Sequence, residues 1–304
     1  MPSIHFIPDD KTVTVEGDET ILDAALRAGV PFSHDCGGKA RCTTCRVLIM
    51  DGEADSVSPR TRSEAMLAQQ LGFEPIIRLA CQTRVISDIH IRRLVLDESD
   101  IALTRVTGTG SSSGSVGTEI NLAIMFADIR NFTPFAENQL PYDVIHFLNR
   151  YFYHMRLVIE RNHGFINNYM GDGLLALFGT DGPGMAAEQA VHAGLEMLQE
   201  MEKLQPYIRQ TYGQGLQMGI GIHFGDVVIG SLGDADRAKG MVIGDAVNVA
   251  SRIEDCNKTE QTRLLISAAV YDQIAGKVRI GKTATCTLKG EQKKFQLYEI
   301  LSLR

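Results

Sequence analysis

The sequence predicts two α+β domains joined by a flexible linker, the second of them a split-βαβ sandwich. Three observations lead there. Four of the six cysteines fall within the first 81 of 304 residues, among short β-like runs around one helix. A Gly/Ser-rich stretch, Thr107–Gly117, then breaks the periodic pattern. Beyond it, apolar runs and amphipathic stripes alternate as β–α–β–β–α–β, the split-βαβ order. At this length each half is able to bury its own core.

The elements follow in order. Ile4–Ile7 and Thr12–Val15 read as a hairpin through Pro8-Asp9-Asp10. Thr20–Arg27 reads as a helix with Ile21, Leu22, Ala25 and Leu26 on one face, ending at Gly29. A cysteine loop follows, then strands at Arg46–Met50 and Val85–Ile91, a small sheet gripping one helix up to residue 96. Residues 97–118 read as a linker, with an ordered surface loop as the alternative. In the second domain, 119–304, Asn121–Ala127 is a strand. Tyr142–Asn162 is a helix with Val144, Leu148, Phe152, Met155 and Ile159 on one stripe, stopped by Gly164. Phe165–Tyr169 and Leu174–Phe178 are strands around Gly171-Asp172-Gly173. Ala186–Leu204 is a second helix, and Leu216–Phe224 with Val227–Ser231 a further hairpin.

Composition narrows the function classes. A hydrophobic share of 44% and a charged share of 22% are those of a soluble globular chain. The formal net charge of −7, with dispersed basic residues, argues against nucleic acid or an acidic membrane as main partner. No apolar run reaches the roughly 18 residues of a membrane helix. The start Met1-Pro-Ser-Ile-His-Phe lacks the layout of a signal peptide, so the expected compartment is the cytoplasm. There, clustered cysteines bind metal or do redox chemistry more often than they form disulfides. Cys256 and Cys286 stand alone in the sequence and read as small buried apolar residues.

The cysteine spacing is Cys36-x5-Cys42-x2-Cys45, then 35 residues to Cys81. A loop can bring three thiolates to an iron–sulfur cluster if glycines such as Gly37 and Gly38 let it wrap closely, and a distant strand can bring the fourth. Zinc is the competing reading, since Cys42-x2-Cys45 alone is a common zinc hairpin; zinc normally takes two such pairs, and Cys36 and Cys81 do not make one. The stretch Ser33-His-Asp-Cys-Gly-Gly-Lys-Ala-Arg-Cys-Thr-Thr-Cys-Arg-Val resembles the cluster loop of 2Fe–2S ferredoxins, and Arg78-Leu-Ala-Cys-Gln resembles their fourth-ligand strand. The x5 gap matches the adrenodoxin/putidaredoxin branch. The resemblance implies a β-grasp fold, a 2Fe–2S cluster on Cys36, Cys42, Cys45 and Cys81, and a redox partner.

Asp128 follows an apolar strand and Asp172 lies in a turn. Singly, each is an ordinary turn or cap residue. Together they end two strands that a split-βαβ sheet places side by side, where two carboxylates and a backbone carbonyl suffice for a pair of Mg²⁺ or Mn²⁺ ions against a triphosphate. Leu122-Ala-Ile-Met-Phe-Ala-Asp-Ile-Arg-Asn-Phe-Thr and Asn168-Tyr-Met-Gly-Asp-Gly resemble the two metal motifs of class III nucleotidyl cyclases, with the aspartates 44 positions apart. Gly219-Ile-Gly-Ile-His-Phe-Gly-Asp-Val-Val-Ile-Gly resembles their central hairpin, and Val242-Ile-Gly-Asp-Ala-Val-Asn-Val-Ala-Ser-Arg-Ile-Glu is the strongest match. The resemblance, over about residues 119 to 301, implies metal binding by Asp128, Ile129 and Asp172 and catalysis by Asn248 and Arg252, one helical face apart by four residues. It also implies a triphosphate contact at Lys289 and active sites shared across a homodimer.

Family adenylate cyclases read adenine with a lysine four residues before the second metal aspartate. They pair it with an aspartate or threonine seven residues before the asparagine. Those positions hold Asn168 and Met241, and neither matches the glutamate–cysteine pair of guanylate cyclases. The expectation is a redox-responsive purine nucleotide cyclase making cyclic AMP from ATP, with GTP as the second candidate. The alternatives are an electron-transfer ferredoxin on a dimerising platform, and a nucleotide-binding redox sensor with a weakly active or inactive cyclase domain.

Overall fold

The computed structural model describes residues 1–51, 56–93, 117–180, 182–230, 241–287 and 294–304. It divides into two units, Met1–Gly117 and Thr118–Arg304. Most of the expected linker, 97–116, and Lys289 lie outside the described residues. Among the described residues no helix is long and apolar enough to cross a membrane.

In the first unit, strands β1 (Ser3–Ile7) and β2 (Lys11–Thr14) form the expected antiparallel hairpin. Helix α1 (Ile21–Arg27) starts at a capping box: the Thr20 hydroxyl accepts from the Asp23 N–H, and the Asp23 carboxylate accepts from the Thr20 N–H. β3 (Arg46–Asp51), helix α2 (Arg62–Leu71), β4 (Ile77–Leu79) and β5 (Ile89–Arg93) follow. The five strands are ordered β2-β1-β5-β3-β4, with β1 parallel to β5. Ile4, Phe6, Val47, Ile89 and Ile91 pack against Ile21, Leu22 and Ala25 of α1 in one core. That is a β-grasp sheet. The strand expected at Val85–Ile91 begins only at Ile89, because Val85 is held in an isolated bridge to Val57 instead. Strand β4 answers to the fourth-ligand strand expected at Arg78-Leu-Ala-Cys-Gln, and helix α2 was not expected.

In the second unit, β6 (Gly117–Arg130), α3 (Phe132–Glu137), α4 (Pro141–Arg161), β7 (Gly164–Met170) and β8 (Gly173–Phe178) come first. Helix α5 (Ala186–Tyr212), β9 (Gln217–Gly230), β10 (Met241–Ile243) and α6 (Asp245–Glu260) follow. β11 (Leu264–Ser267), α7 (Ala268–Ile274), β12 (Val278–Thr287) and β13 (Lys294–Leu303) complete the unit. The sheet is ordered β12-β13-β11-β9-β6-β8-β7, with β10 on β9. Its β9-β6-β8-β7 part has the split-βαβ order. Strand alternation divides the side chains between two faces. Ala123, Met125, Ala127 and Ile129 of β6 join α4, α5 and α7 in the larger core. Leu122 and Ile124, with Leu175 and Leu177 of β8, meet Ala246 and Ala250 of α6 on the other face.

Four expectations are corrected. The residues 216–231 do not fold back at Gly225-Asp226: β9 runs unbroken to Gly230 and pairs with β10, while Ser231 lies outside the described residues. The buried stripe of α4 is Phe147, Tyr151, Met155, Val158 and Ile159, with Leu148 and Phe152 only flanking it and Val144 half-buried. Rings of Phe135 and Tyr212 packing on Phe147 turn the helix that way. Helix α5 continues past Pro206 to Tyr212, since Ile208 beyond the proline is fully buried. Finally, Cys256 and Cys286 are half-buried rather than isolated in the core, and their thiols reach each other.

Candidate functional site

In the first unit the chain from α1 to β3 wraps through Gly37, Gly38 and Ala40, all with positive φ. Gly38 brings the loop backbone against Cys81, whose Cβ stands 3.8 Å from where a Gly38 side chain would start. Cys45 begins the approach to β3 and Cys81 follows β4, and the Ala80 N–H donates to the Cys45 carbonyl at 3.0 Å. The four thiols meet two by two. Cys45 Sγ and Cys81 Sγ are 3.5 Å apart, and Cys36 and Cys42 are hydrogen-bonded to each other.

Each pair holds its protons unevenly. Hydrogen bonding from Cys45 lowers Cys81 to about 6, while the same contact and burial push Cys45 up. Burial would raise Cys36, but N–H groups of Arg41, Lys39 and Cys42 outweigh it and lower its pKa; burial pushes Cys42 up. Gln82 Nε2 donates to the Gly38 carbonyl at 3.1 Å and lies 3.6 Å from Cys81 Sγ, and Thr44 Oγ1 is 3.2 Å from Cys42 Sγ. Two thiol pairs, bordered by donors aimed at sulfur, fit a dinuclear cluster with two thiolates on each iron. Among the described residues no three His, Cys, Asp or Glu gather around one metal position.

Beneath the fourth cysteine lies a buried ion pair that sequence reasoning missed. Arg78 Nε and Nη2 donate to the Glu64 carboxylate at 2.9 and 3.0 Å, and the Leu79 N–H donates to it at 2.8 Å. Glu64 of α2 thus fixes β4 just before Cys81. The Thr61 cap, whose hydroxyl accepts from the Glu64 N–H, was the available signal.

In the second unit, pairing of Ala127 with Leu174 sets the end of β6 beside the β7–β8 turn. Asp128 and Asp172 meet there. A Cβ on Gly173 would stand 3.3 Å from Asp128 Oδ1, so glycine leaves the carboxylate its space. Burial, and then the hydrogen bond and charge of Asp128, raise Asp172 to about 7, against N–H groups of Asp172 and Ile129 that favour its carboxylate. Two carboxyls so close that one keeps a proton form a donor set suited to a divalent cation. The Tyr151 hydroxyl is fully buried without a hydrogen-bond partner among the described residues, and burial and the charges of Asp128, Asp172 and Glu254 raise its pKa. Lys258 Nζ stands 3.9 Å from Asp128 Oδ2. None of these three was expected.

Asn248 and Arg252 are on α6, whose inward face is Ala246, Val249, Ala250, Ile253, Glu254 and Asn257. Asn248 is exposed, beside an open cleft of about 410 Å³ with Val242, Ile243 and Asp245. Arg252 is half-buried. Lys258, the α6 residue that approaches Asp128, is ten residues past Asn248 and six past Arg252, or about 15 and 9 Å along the axis. Asn168 is exposed on β7 and Met241 is 43% exposed on β10. β9, β6 and β8 stand between those two strands in the pairing order. One chain therefore brings the aspartates together, and the cysteines together, but not Asn168 with Met241.

Comparison with known proteins agrees with both halves. Residues 116–302 match the family model described as adenylate and guanylate cyclase catalytic domain, and residues 5–85 match the 2Fe-2S iron-sulfur cluster binding domain. A protein named adenylate cyclase from Anabaena cylindrica is 36% identical over 186 residues, 59% of this chain and 36% of that protein. The guanylyl cyclase Cya2 is 31% identical, with a TM-score of 0.58 over 62% of this chain and 95% of its own. The adenylyl cyclase CyaB from P. aeruginosa is 26% identical, with a TM-score of 0.56 over 62% of this chain and 97% of its own. The chain spans 9% to 36% of the length of the curated adenylate cyclases it matches.

Proposed function

We propose, from the premise that this chain belongs to the family of adenylate and guanylate cyclase catalytic domains and carries a 2Fe–2S ferredoxin domain before it, that it is a redox-responsive purine nucleotide cyclase converting ATP to cyclic AMP and pyrophosphate in a homodimer. The observation that carries this reading is the contact between Asp128 and Asp172 at the ends of neighbouring strands. Asp128 and Asp172, with the Ile129 backbone, would hold Mg²⁺ or Mn²⁺, which when bound offsets charge on the attacking ribose oxygen and on the leaving pyrophosphate. Arg252 neutralises the charge that builds on the α-phosphoryl oxygens. Asn248 orients the ribose through its amide donor and acceptor, and Lys289 contacts the triphosphate. Cys36, Cys42, Cys45 and Cys81 hold the cluster.

The homodimer is supported by the spread of these residues on one chain. With Asn248 and Arg252 about 15 and 9 Å along α6 from Lys258, which approaches Asp128, a symmetric pair would supply each site with the aspartates of one copy and the Asn/Arg of the other. Val228 of β9 and Met241 and Ile243 of β10 are exposed apolar side chains on paired strands, with Ile243 in the cleft of Asn248, a surface for the second copy. ATP is favoured by relatives named adenylate cyclase from Anabaena cylindrica and Rhizobium meliloti. Met241, which cannot donate a hydrogen bond to a purine edge, favours a second reading in which the domain binds nucleotide and turns over slowly.

Redox control is supported by the joining of a cluster domain to a cyclase domain. A one-electron change of charge is screened within roughly 8 Å at physiological salt, so control requires a contact that differs with oxidation state. The segment 96–118 would be the transmitter, and the expected coupling is about 5–30-fold in rate. Purified protein incubated anaerobically with ATP or GTP and Mn²⁺, oxidised and then dithionite-reduced, tests the whole reading. Cyclic AMP at different rates in the two states is the expected result. Absence of either cyclic nucleotide overturns the cyclase assignment, and equal rates overturn the redox control.

A further inference from the structure

Cys256 lies one turn beyond Arg252 on α6, so Asn248, Arg252 and Cys256 recur every four residues along one side of the helix. Cys286 is on β12 opposite Phe295 of β13, three positions before Lys289. Both cysteines border a small apolar cluster of Val249, Ile253, Leu265 and Leu297. Each is half-buried and reduced, and the two thiols are in hydrogen-bonding contact. Neither belongs to the cluster-binding set or to the aspartate site. A helix and a strand thus present a touching, accessible dithiol on the element that carries Asn248 and Arg252.

We propose that Cys256 and Cys286 are a thiol–disulfide site which a low-molecular-weight disulfide oxidises, tying α6 to β12 and slowing the cyclase. The Cys286 thiolate attacks one sulfur of the small disulfide, forming a mixed disulfide and expelling one thiolate. Burial, with Cys286 beside it, pushes the Cys256 thiol up to about 12; Cys256 takes the resolving step. After losing its proton to solvent it attacks Cys286 sulfur and expels the second thiolate. The protein gives up two electrons and two protons, and the small disulfide becomes two thiols.

The effect on rate rests on the cyclase reading above. An S–S bond of about 2.05 Å is well over 1 Å shorter than a thiol–thiol contact, so oxidation draws α6 and β12 together. A misplacement of about 1 Å at catalytic groups costs up to 10²-fold. A fall of at least tenfold in turnover is therefore expected, independent of the oxidation state of the iron–sulfur cluster.

The test treats the full chain, cluster intact and under anaerobic conditions, with oxidised glutathione. Alkylation and peptide mapping without reductant follow, with cyclic nucleotide formation measured before and after dithiothreitol. The expected result is a linked Cys256–Cys286 peptide, a slowed rate restored by dithiothreitol, and rates in Cys256→Ser and Cys286→Ser that oxidised glutathione leaves unchanged. Free alkylatable thiols at both positions, or glutathione adducts alone, overturn the disulfide site. A linked peptide with an unaltered rate overturns the control. If the reduced protein cyclises neither nucleotide, the failure belongs to the cyclase reading. The peptide map then still decides the thiol site, and affinity for a fluorescent ATP analogue with Mn²⁺ replaces rate as the readout of α6.

Discussion

Gly221→Ala is expected to separate stability from catalysis at the helix that carries Asn248 and Arg252. Gly221 lies on β9 directly under α6. A Cβ there would sit 2.2 Å from the Glu254 backbone nitrogen, 2.7 Å from its Cα and 2.8 Å from the Ala250 carbonyl oxygen. These are backbone atoms, which do not swing aside as a side chain does. Ordinary contact begins at 3.4 Å, so α6 must retreat by about 1.2 Å at this point. Overpacking of this kind costs about 1–3 kcal/mol. Displacement of catalytic groups by about 1 Å costs on the order of 10²-fold in rate.

The assay is thermal unfolding of the full chain beside steady-state cyclisation of ATP with Mn²⁺. The expected outcome is a folded protein with a lowered midpoint and a kcat reduced about 100-fold. Gly194→Ala is the contrast: its Cβ meets the end of the Leu264 side chain at 3.2 Å, a shortfall of tenths of an ångström. It should leave kcat near that of the parent. A Gly221→Ala protein with parental midpoint and kcat would refute the claim that this contact sets the position of α6.

Asp128→Ala is expected to cut turnover by at least about 10²–10³-fold, the typical loss of a charge-stabilising group. Mixed with an Arg252→Ala chain it should regain one site per heterodimer, and proven heterodimers without rescue would argue against shared sites. Glu64→Ala leaves Arg78 buried and uncompensated, which costs about 3–5 kcal/mol; a lowered denaturation midpoint and early loss of the cluster's visible absorption are expected, with Glu64→Gln milder. His223, whose Nδ1 lies 2.8 Å from Ser267 Oγ, is lowered by burial to about 4 against the opposing charge of Asp245. The unfolded chain then takes the proton first, so stability is full above about pH 6.5 and falls by about 3 kcal/mol as pH drops towards 4, at about 1.36 kcal/mol per unit. His223→Gln should flatten that part of the pH profile in urea titrations.

The legible parts of the chain were those where chemistry restricts residue choice. Four cysteines at fixed spacing, and two aspartates, one after an apolar run and one in a turn before another, are groups that the fold brings together pairwise. Patterns that rest on glycine alone misled. Gly225-Asp226 carries a turn signal, yet a Cβ on Gly225 would stand 2.9 Å from Ala246 Cβ: this glycine admits α6 against an unbroken strand. Helix α2 escaped notice because its sequence is mostly polar, and its buried anchor is a charged residue, Glu64, not an apolar stripe. The α4 stripe was misplaced because periodicity cannot tell Phe147 and Tyr151 from Leu148 and Phe152; the rings of Phe135 and Tyr212, distant in sequence, decide it.

The same distinction bears on substrate choice. The residues proposed to handle the phosphoryl groups are charged or amide groups whose proposed roles follow from their chemistry. A purine is instead read by complementary donors and acceptors held at fixed distances. Here one reading position, Asn168, sits beside a strand irregularity between Ile166 and Asn168, and the other is the thioether of Met241. A carboxamide can turn either its oxygen or its nitrogen toward the base, and the thioether enforces neither. Under the proposed function, selection between ATP and GTP then comes from the shape of the cleft around Asn248 or from groups that a second copy would bring. Replacing Asn168 by lysine, the residue found at this position in adenylate cyclases of the family, supplies a donor that suits only an acceptor on the base. It is therefore the substitution that separates a site of weak purine preference from one whose preference is already built elsewhere.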